Sequence, residues 1–118
     1  MNVVSVGYAC VDPVARARDL GPEIEAAADE IERTQVIPEP LLTHLHDARL
    51  ARILLPRSVG GDQMDPWTYL RAIEEISRHD GSVGWNLFVA NSAALIAPFI
   101  PLDSAKQIFT DPRAWMSW

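Results

Sequence analysis

The sequence predicts an all-α fold, a small helical bundle that forms one domain. Prolines and capping residues stand at several points where a helix should begin, and apolar residues recur at helical spacing after each of them. An alternating strand pattern occurs only in the last few residues. With 118 residues the chain can bury one hydrophobic core but not two.

The composition excludes several classes of function. The 16 acidic and 10 basic residues give a net charge of −6, so the chain lacks the basic surface that would attract nucleic acid or an anionic membrane. Cys10 cannot form an internal disulfide, and no group of cysteines and histidines has the spacing of zinc ligands. Residues 3–11 are apolar but lack the features of a signal peptide. We therefore expect a cytoplasmic protein that has no metal site and binds neither nucleic acid nor membrane.

The first helix is predicted to begin at Asp12-Pro13, because aspartate accepts hydrogen bonds from first-turn amides and proline needs no donor there. Its apolar face consists of Leu20, Ile24, Ala27, Ala28 and Ile31. Its acidic face consists of Glu23, Glu25, Asp29, Glu30 and Glu32, which we interpret as solvated, with a partner-binding patch as the alternative. Gly21-Pro22 predicts a kink or a restart within this helix.

A second, short helix is predicted after Pro38 and Pro40, with a stripe of Leu41, Leu42, Leu45 and Ala48. His44 and His46 are two residues apart, so on a helix they cannot bind one metal together and are interpreted as surface histidines. Residues 50–55 then form an extended apolar segment, and Gly60-Gly61 forms a turn that can take positive φ.

The third helix has the clearest start in the sequence, with Asp65 as its cap and Pro66 as its first residue. We expect its buried face to consist of Trp67, Leu70, Ile73 and Ile76. Two outward ion pairs, Arg71 with Glu75 and Glu74 with Arg78, follow from the spacing of four residues. The adjacent carboxylates Glu74 and Glu75 diverge on a helix, so they are interpreted as solvated rather than as an acid/base pair.

Residues 79–82 combine a helix stop with a helix start, since Gly81 can take the left-handed closing position and Asp80 or Ser82 can cap the next helix. Residues 83–97 are apolar almost all round, which predicts a central helix buried on most sides rather than a membrane span. Asn86, Asn91 and Ser92 interrupt this helix. They either bond within the protein or line a ligand cavity.

A last helix is predicted from Asp103 to Phe109, after the break at Pro98 and Pro101. Residues 114–118 then alternate large and small side chains like the start of a strand, which suggests that the chain is cut within an element. The sequence contains no glycine-rich phosphate loop, no nucleophile elbow and no zinc-protease motif, so it offers no self-contained catalytic site.

Four stretches, read in order, resemble the N-terminal helical domain of the acyl-CoA dehydrogenase superfamily. They are residues 20–33 (LGPEIEAAADEIER), 51–61 (ARILLPRSVGG), 72–85 (AIEEISRHDGSVGW) and 108–114 (IFTDPRA). Within these, PRSVGG and DGSVGW resemble the flavin-dependent monooxygenase branch, the oxygenase component of two-component hydroxylases. Relatives often place glycine where Arg49 stands and an aromatic residue where Val59 stands, so this chain departs from the family pattern at both positions.

The resemblance implies residues 1–11 as a loose N-terminal segment, 12–110 as the helical domain, and 111–118 as the start of a missing β domain. It implies FAD or FMN as cofactor, bound mainly through absent domains that also carry the catalytic groups. It further implies a small-molecule substrate, a flavin reductase as partner and a homotetrameric parent protein. The segment after the Asp-Gly-Ser turn matches a pocket-lining helix, so the resemblance assigns the flavin or substrate pocket wall to Trp85, Asn86, Phe88, Asn91 and Ser92.

Three hypotheses of function follow. The first is the N-terminal domain of an oxygenase that uses reduced flavin and O2 on an aromatic or other small organic substrate. The second is the N-terminal domain of an FAD-dependent acyl-CoA dehydrogenase. The third is a non-enzymatic helical interaction module that is complete at Trp118. Under the first two, the chain alone catalyses nothing and shapes a site that other domains complete.

Overall fold

The computed structural model describes residues 12–117, so the predictions for the N-terminal segment, Cys10 and Trp118 lie outside the described residues. Five α-helices occur in this part of the chain: α1 (Pro13–Thr34), α2 (Glu39–Asp47), α3 (Pro66–His79), α4 (Gly81–Ala93) and α5 (Leu102–Phe109). Two 3₁₀ segments, Arg57–Val59 and Ala94–Phe99, complete the regular structure of residues 12–117. The prediction of an all-α fold is confirmed.

Helix α1 begins where the sequence predicts, with the Asp12 carboxylate accepting a hydrogen bond from the amide of Val14 at 3.0 Å. It runs as one helix through Pro22, so the predicted restart at Gly21-Pro22 is wrong. A glycine is needed at position 21 because the His79 ring of α3 lies against it. A side chain there would lie 2.5 Å from the His79 ring, so the glycine lets α1 and α3 approach closely. These two helices form the most extensive helix pairing of the described structure.

Helix α3 has the predicted cap, since Asp65 accepts a hydrogen bond from the Thr68 amide at 2.9 Å. Its buried face is Tyr69, Ala72, Glu75 and Ile76. The predicted face is therefore wrong for Trp67 and Leu70, which are 69% and 49% exposed. The buried Ala72 lies seven residues before His79 on the same side of α3, and the His79 ring lies against Gly21, so this side of α3 faces α1.

Glu75 is buried, so its interpretation as a solvated carboxylate is wrong. Its oxygens lie 3.5 Å from the Arg18 guanidinium of α1 and 3.4 Å from that of Arg78, and Arg71 is not among its ion-pair partners. The predicted pair between Glu74 and Arg78 is confirmed at 3.1 Å, on the exposed side of α3. Burial of Glu75 therefore comes with compensating cations from two helices.

The segment between α2 and α3 is irregular but buried, with Leu50, Ile53 and Leu55 fully enclosed. Gly60 takes the predicted positive φ of 91°. Asp62 is buried between two guanidinium groups, at 2.9 Å from Arg16 and 3.0 Å from Arg49. These ion pairs join α1 to both ends of the segment and hold it against the core.

The main core lies between α1, α2, α3 and one side of α4, and a smaller cluster joins the 3₁₀ segments to α5. The chain from Gly81 to Phe99 is long and apolar enough, by length and composition, to cross a membrane, and 39% of it is buried. One such helix is weak evidence for a membrane span, because core helices share these properties. The α-helix itself ends at Ala93, earlier than the sequence predicts.

Residues 114–117 after α5 adopt neither helix nor strand. Trp115 packs against the main core, and its indole meets the His46 ring edge-on at a centroid distance of 5.4 Å. A strand needs a partner strand, which residues 12–117 do not contain. The strand at the C-terminus and the domain boundaries therefore stay predictions.

Candidate functional site

Helix α4 carries all five predicted pocket residues, and Asp80 fixes where it begins. The Asp80 carboxylate accepts hydrogen bonds from the Val83 amide at 2.8 Å and the Ser82 hydroxyl at 2.6 Å. Gly81 is the first residue of α4 and is not left-handed, so its predicted role in closing α3 is wrong. The extended backbone of Asp80 ends one helix and starts the next without an intervening loop.

Asn91 lies in the core, with no exposed surface. Its Oδ1 accepts hydrogen bonds from the amides of Ile53 and Leu54, and its Nδ2 donates to the carbonyls of Leu50 and Leu87. Both hydrogens of the side-chain amide and both acceptor positions are therefore used within the chain. Asn91 holds the irregular segment onto α4 and has no polar atom left for a ligand.

Trp85 and Phe88 are brought together on the outer side of α4. Their rings stack at a centroid distance of 5.6 Å and an interplanar angle of 25°, and Phe88 stacks in turn on Tyr69 at 6.3 Å. Tyr69 is buried and donates from its hydroxyl to the Phe88 carbonyl, and burial raises its pKa to about 12. Three aromatic rings thus run from the core to the surface, where Trp85 is 65% exposed.

An apolar stripe continues this aromatic stack along the chain into the second 3₁₀ segment. We call Trp85, Phe88, Leu95, Ile96 and Phe99 the α4 stripe: the first two lie on one side of α4, and the other three belong to the 3₁₀ segment that follows it. Four of its members are exposed, with Phe99 at 86%. The prediction that this helix is buried on most sides is therefore wrong for the stripe side. Contiguous exposed apolar surface of this kind is typical of a binding or contact surface.

The side chains of Ser92 and Asn86 form hydrogen bonds within α4, unlike the stacked pair of Trp85 and Phe88. The Ser92 hydroxyl donates to the Phe88 carbonyl at 2.8 Å, so it is bonded within α4 at the half-buried edge of the stripe. Asn86 is exposed and donates to the Ser82 carbonyl, and its side chain lines a separate groove toward α2. The structure therefore brings Trp85, Phe88 and Ser92 to one side of α4 and places Asn86 and Asn91 elsewhere.

A groove of about 490 Å³ lies between the segment that precedes α3 and the end of the second 3₁₀ segment. Its walls include Leu54, Val59, Ala97, Pro98 and Ile100. The volume lies in the range of small-molecule sites, and the walls are mainly apolar. Val59, where relatives often place an aromatic residue, contributes directly to this groove.

The chemistry of the described residues fits a wall rather than a reacting centre. No group of three or more potential metal ligands occurs among residues 12–117. The α4 stripe offers aromatic faces and aliphatic side chains, which suit a flat conjugated ring or an aromatic substrate.

The family model described as "Acyl-CoA dehydrogenase, N-terminal domain" matches residues 16–106, most of the chain. The chain belongs to this family. The matched region runs from the first turn of α1 to the middle of α5 and contains the α4 stripe. The resemblance read from the four sequence stretches is thus confirmed at the level of the family.

Three relatives of the chain carry names of enzymes. It is 27% identical over 84 residues to an indole-3-acetate monooxygenase of Acinetobacter baumannii, and 29% identical over 104 residues to one of Pseudomonas putida. It is 34% identical over 92 residues to a 3-(aryl)acrylate reductase of Clostridium sporogenes. These alignments cover 71%, 80% and 77% of the chain, respectively, but only 21%, 26% and 24% of the relatives. The chain therefore spans about a quarter of the length of the relatives that it matches.

Sequence reasoning missed the C-terminal half of the stripe. Leu95, Ile96 and Phe99 follow Trp85 and Phe88 along the chain and are exposed like Trp85, and they stand 10, 11 and 14 residues after Trp85. The exposed residues were hard to predict because the segment is apolar on all sides. A helix of this kind has no polar face to indicate which side is buried.

Proposed function

We propose that this chain is the N-terminal helical domain of a flavin-dependent oxidoreductase and that the α4 stripe forms part of the wall of its flavin and substrate pocket. The family and the names of the relatives point to a flavoprotein oxidoreductase. The single observation that supports the location is the aromatic stack of Trp85 on Phe88, which is open to solvent although it is continuous with the core.

The specific activity we propose is that of an oxygenase component, which receives reduced FAD or FMN from a reductase and uses O2 on an aromatic substrate. Two relatives are named indole-3-acetate monooxygenase, and the third name also describes an aryl compound. A wall of aromatic rings suits such a substrate, because aromatic rings favour offset-stacked and edge-to-face contacts with one another. When bound, the flavin supplies the redox chemistry, and this chain's part is to hold the ring of the substrate and exclude water.

A second candidate is a flavoenzyme that transfers hydrogen without oxygen, of the acyl-CoA dehydrogenase type. The similarity to a 3-(aryl)acrylate reductase favours it, since this is the relative with the highest identity of the three. The α4 stripe would serve the same purpose in both, as the apolar wall beside the reacting part of the substrate. The two candidates differ in whether oxygen enters the product.

Isotopic oxygen separates the two candidates. The complete protein encoded with this chain is mixed with chemically reduced FMN or FAD, an aromatic substrate such as indole-3-acetate, and ¹⁸O₂. Mass spectrometry is expected to find one ¹⁸O atom in the organic product. Product without label, or oxidation of an acyl thioester by added oxidised flavin in the absence of oxygen, would favour the second candidate. An absence of flavin-dependent turnover of either kind contradicts the oxidoreductase assignment itself.

The remaining features of the proposal concern the whole protein. We propose a cytoplasmic homotetramer in which a β domain and a helical bundle follow this chain and complete the flavin site. A small-molecule substrate and a flavin reductase are its expected partners. Sequencing of the DNA downstream of Trp118 tests the domain organisation, and light scattering of the complete protein tests the tetramer.

A further inference from the structure

A second groove lies between the end of α1, helix α2, the start of α4 and the C-terminal tail, and we call it the tail groove. Its volume is about 420 Å³, within the range of small-molecule sites. The apolar part of its lining is Val36, Ile37, Leu42 and Trp115. The polar part is His46, Asn86 and Arg113. An apolar floor with a few polar groups is the composition that orients a small organic ligand.

Arg113 is the one charged residue among the described residues that line the tail groove, and it ion-pairs with Glu39 beside the groove. Burial lowers the pKa of His46, and the charges of Arg113 and Arg52 lower it by more than Asp111 and Asp47 raise it. A lowered pKa favours the neutral imidazole at pH 7, which leaves the Arg113 guanidinium as the charged group of the lining. An anion is favoured there over a cation.

Arg113 is held in place at the rim of the groove. Its guanidinium donates to the Glu39 carboxylate at 2.9 Å and to the Thr43 hydroxyl at 3.2 Å, both on α2. Its side chain is still 42% exposed, so part of the guanidinium remains accessible to a ligand. A planar guanidinium binds a carboxylate through two parallel hydrogen bonds.

The floor of the groove favours an aromatic ring. The planes of the Trp115 and His46 rings meet at 78°, so the two rings form neighbouring walls of the groove that are nearly perpendicular. A flat ring that lies against one of them meets the edge of the other, and both arrangements are favourable for aromatic groups. We propose that the tail groove binds a small aromatic carboxylate, with its ring against Trp115 and its carboxylate on Arg113.

This site is distinct from the α4 stripe and does not depend on the proposed function, so it is tested without flavin. The probe is phenylacetate, added to the ¹⁵N-labelled chain at pH 7, and the readout is the shift of the Trp115 indole and His46 ring signals in NMR spectra. Phenylacetamide, which has the same ring without the charge, is expected to bind about tenfold more weakly, since a charge-assisted pair is lost. Equal affinity for the amide, or no shift of these signals with phenylacetate, would overturn the proposal.

Three variants separate a ligand contact from a structural role of Arg113. Arg113→Gln is expected to weaken phenylacetate binding about tenfold, whereas Arg71→Gln, an exposed arginine of α3, leaves it unchanged. Glu39→Gln removes the competing carboxylate but keeps the arginine, so binding is expected to stay equal or become tighter. If Glu39→Gln weakens binding as much as Arg113→Gln, the arginine merely ties the tail to α2 and the proposal is wrong. A stability measurement on each variant confirms that the fold is retained.

Discussion

Asn91 shows how much a single buried amide contributes to this fold. Replacement by alanine removes the acceptor for the buried amides of Ile53 and Leu54 and leaves both without a partner. A buried donor left unsatisfied costs about 1–3 kcal/mol, so we expect Asn91→Ala to lower the free energy of unfolding by roughly 2–4 kcal/mol. Urea denaturation followed by circular dichroism measures the change.

Asn86→Ala is the matched control for this prediction. Asn86 is exposed and its amide donates to the Ser82 carbonyl of its own helix, so its loss should change the free energy of unfolding by about 0.5 kcal/mol or less. Equal destabilisation by the two variants would show that the hydrogen bonds of Asn91 are not what holds residues 50–54.

Arg49 combines an unfavourable backbone with favourable side-chain contacts. Its φ is 58°, the left-handed conformation that closes helix α2, while its guanidinium donates to Asp62 and to the Gly60 carbonyl. Arg49→Ala loses the contacts and keeps the strain, whereas Arg49→Gly loses the contacts and relieves the strain. We expect both variants to be less stable than the natural chain, with the glycine variant about 1 kcal/mol more stable than the alanine variant.

Thermal unfolding of the two variants at equal protein concentration tests this order. An alanine variant as stable as the glycine variant would mean that the left-handed backbone at this position costs nothing. Glycine, the residue that relatives often place here, needs no anchoring side chain. In this chain the arginine at position 49 has a partner, because the Asp62 carboxylate accepts hydrogen bonds from both Arg49 and Arg16.

At the scale of elements, the packing of α4 on α3 depends on a missing side chain. A Cβ at Gly84 would lie 2.0 Å from the Ser77 hydroxyl oxygen and 3.1 Å from its Cα. We therefore expect Gly84→Ala to push the helices apart and to destabilise the chain by about 1–3 kcal/mol, the usual cost of overpacking. Gly81→Ala is the control in the same helix, since nothing lies within 4 Å of its added Cβ.

The two glycine variants are compared by urea denaturation. Gly81→Ala should be neutral or stabilising by up to about 1 kcal/mol, because alanine is the better helix former. Similar curves for both variants would contradict the close approach of α3 and α4 at Gly84.

Helix starts could be predicted from the sequence, and helix faces only in part. Asp12, Asp65 and Asp80 cap the helices that they precede in sequence, because capping is a local interaction between neighbours. The prediction of the buried side of α3 was wrong because that side depends on the distant Gly21 and on the cation of Arg18, which no local pattern reveals. For the same reason, the family resemblance assigned five pocket residues to α4 but did not show that Asn91 lies in the core.

At the scale of the whole molecule, two tryptophans with nearly equal exposure stand in different surroundings. Trp85 is 65% exposed and belongs to the α4 stripe, next to Phe88, whereas Trp67 is 69% exposed near the start of α3. Local exposure does not distinguish them. Of the two, only Trp85 stacks on a second aromatic ring and belongs to the mainly exposed apolar residues of the α4 stripe.

This contrast gives a test of the pocket wall in the complete protein. If the α4 stripe excludes water from the flavin site, Trp85→Ala should raise several-fold the fraction of consumed oxygen that ends as hydrogen peroxide instead of product. Trp67→Ala should leave this fraction unchanged, although it removes an equally exposed ring. Peroxide and product are measured together after a single addition of reduced flavin, with urea denaturation to confirm that both variants remain folded. An equal response of the two variants would mean that the stripe faces something other than the reacting substrate, because the loss of Trp85 would then act only as the loss of any surface tryptophan.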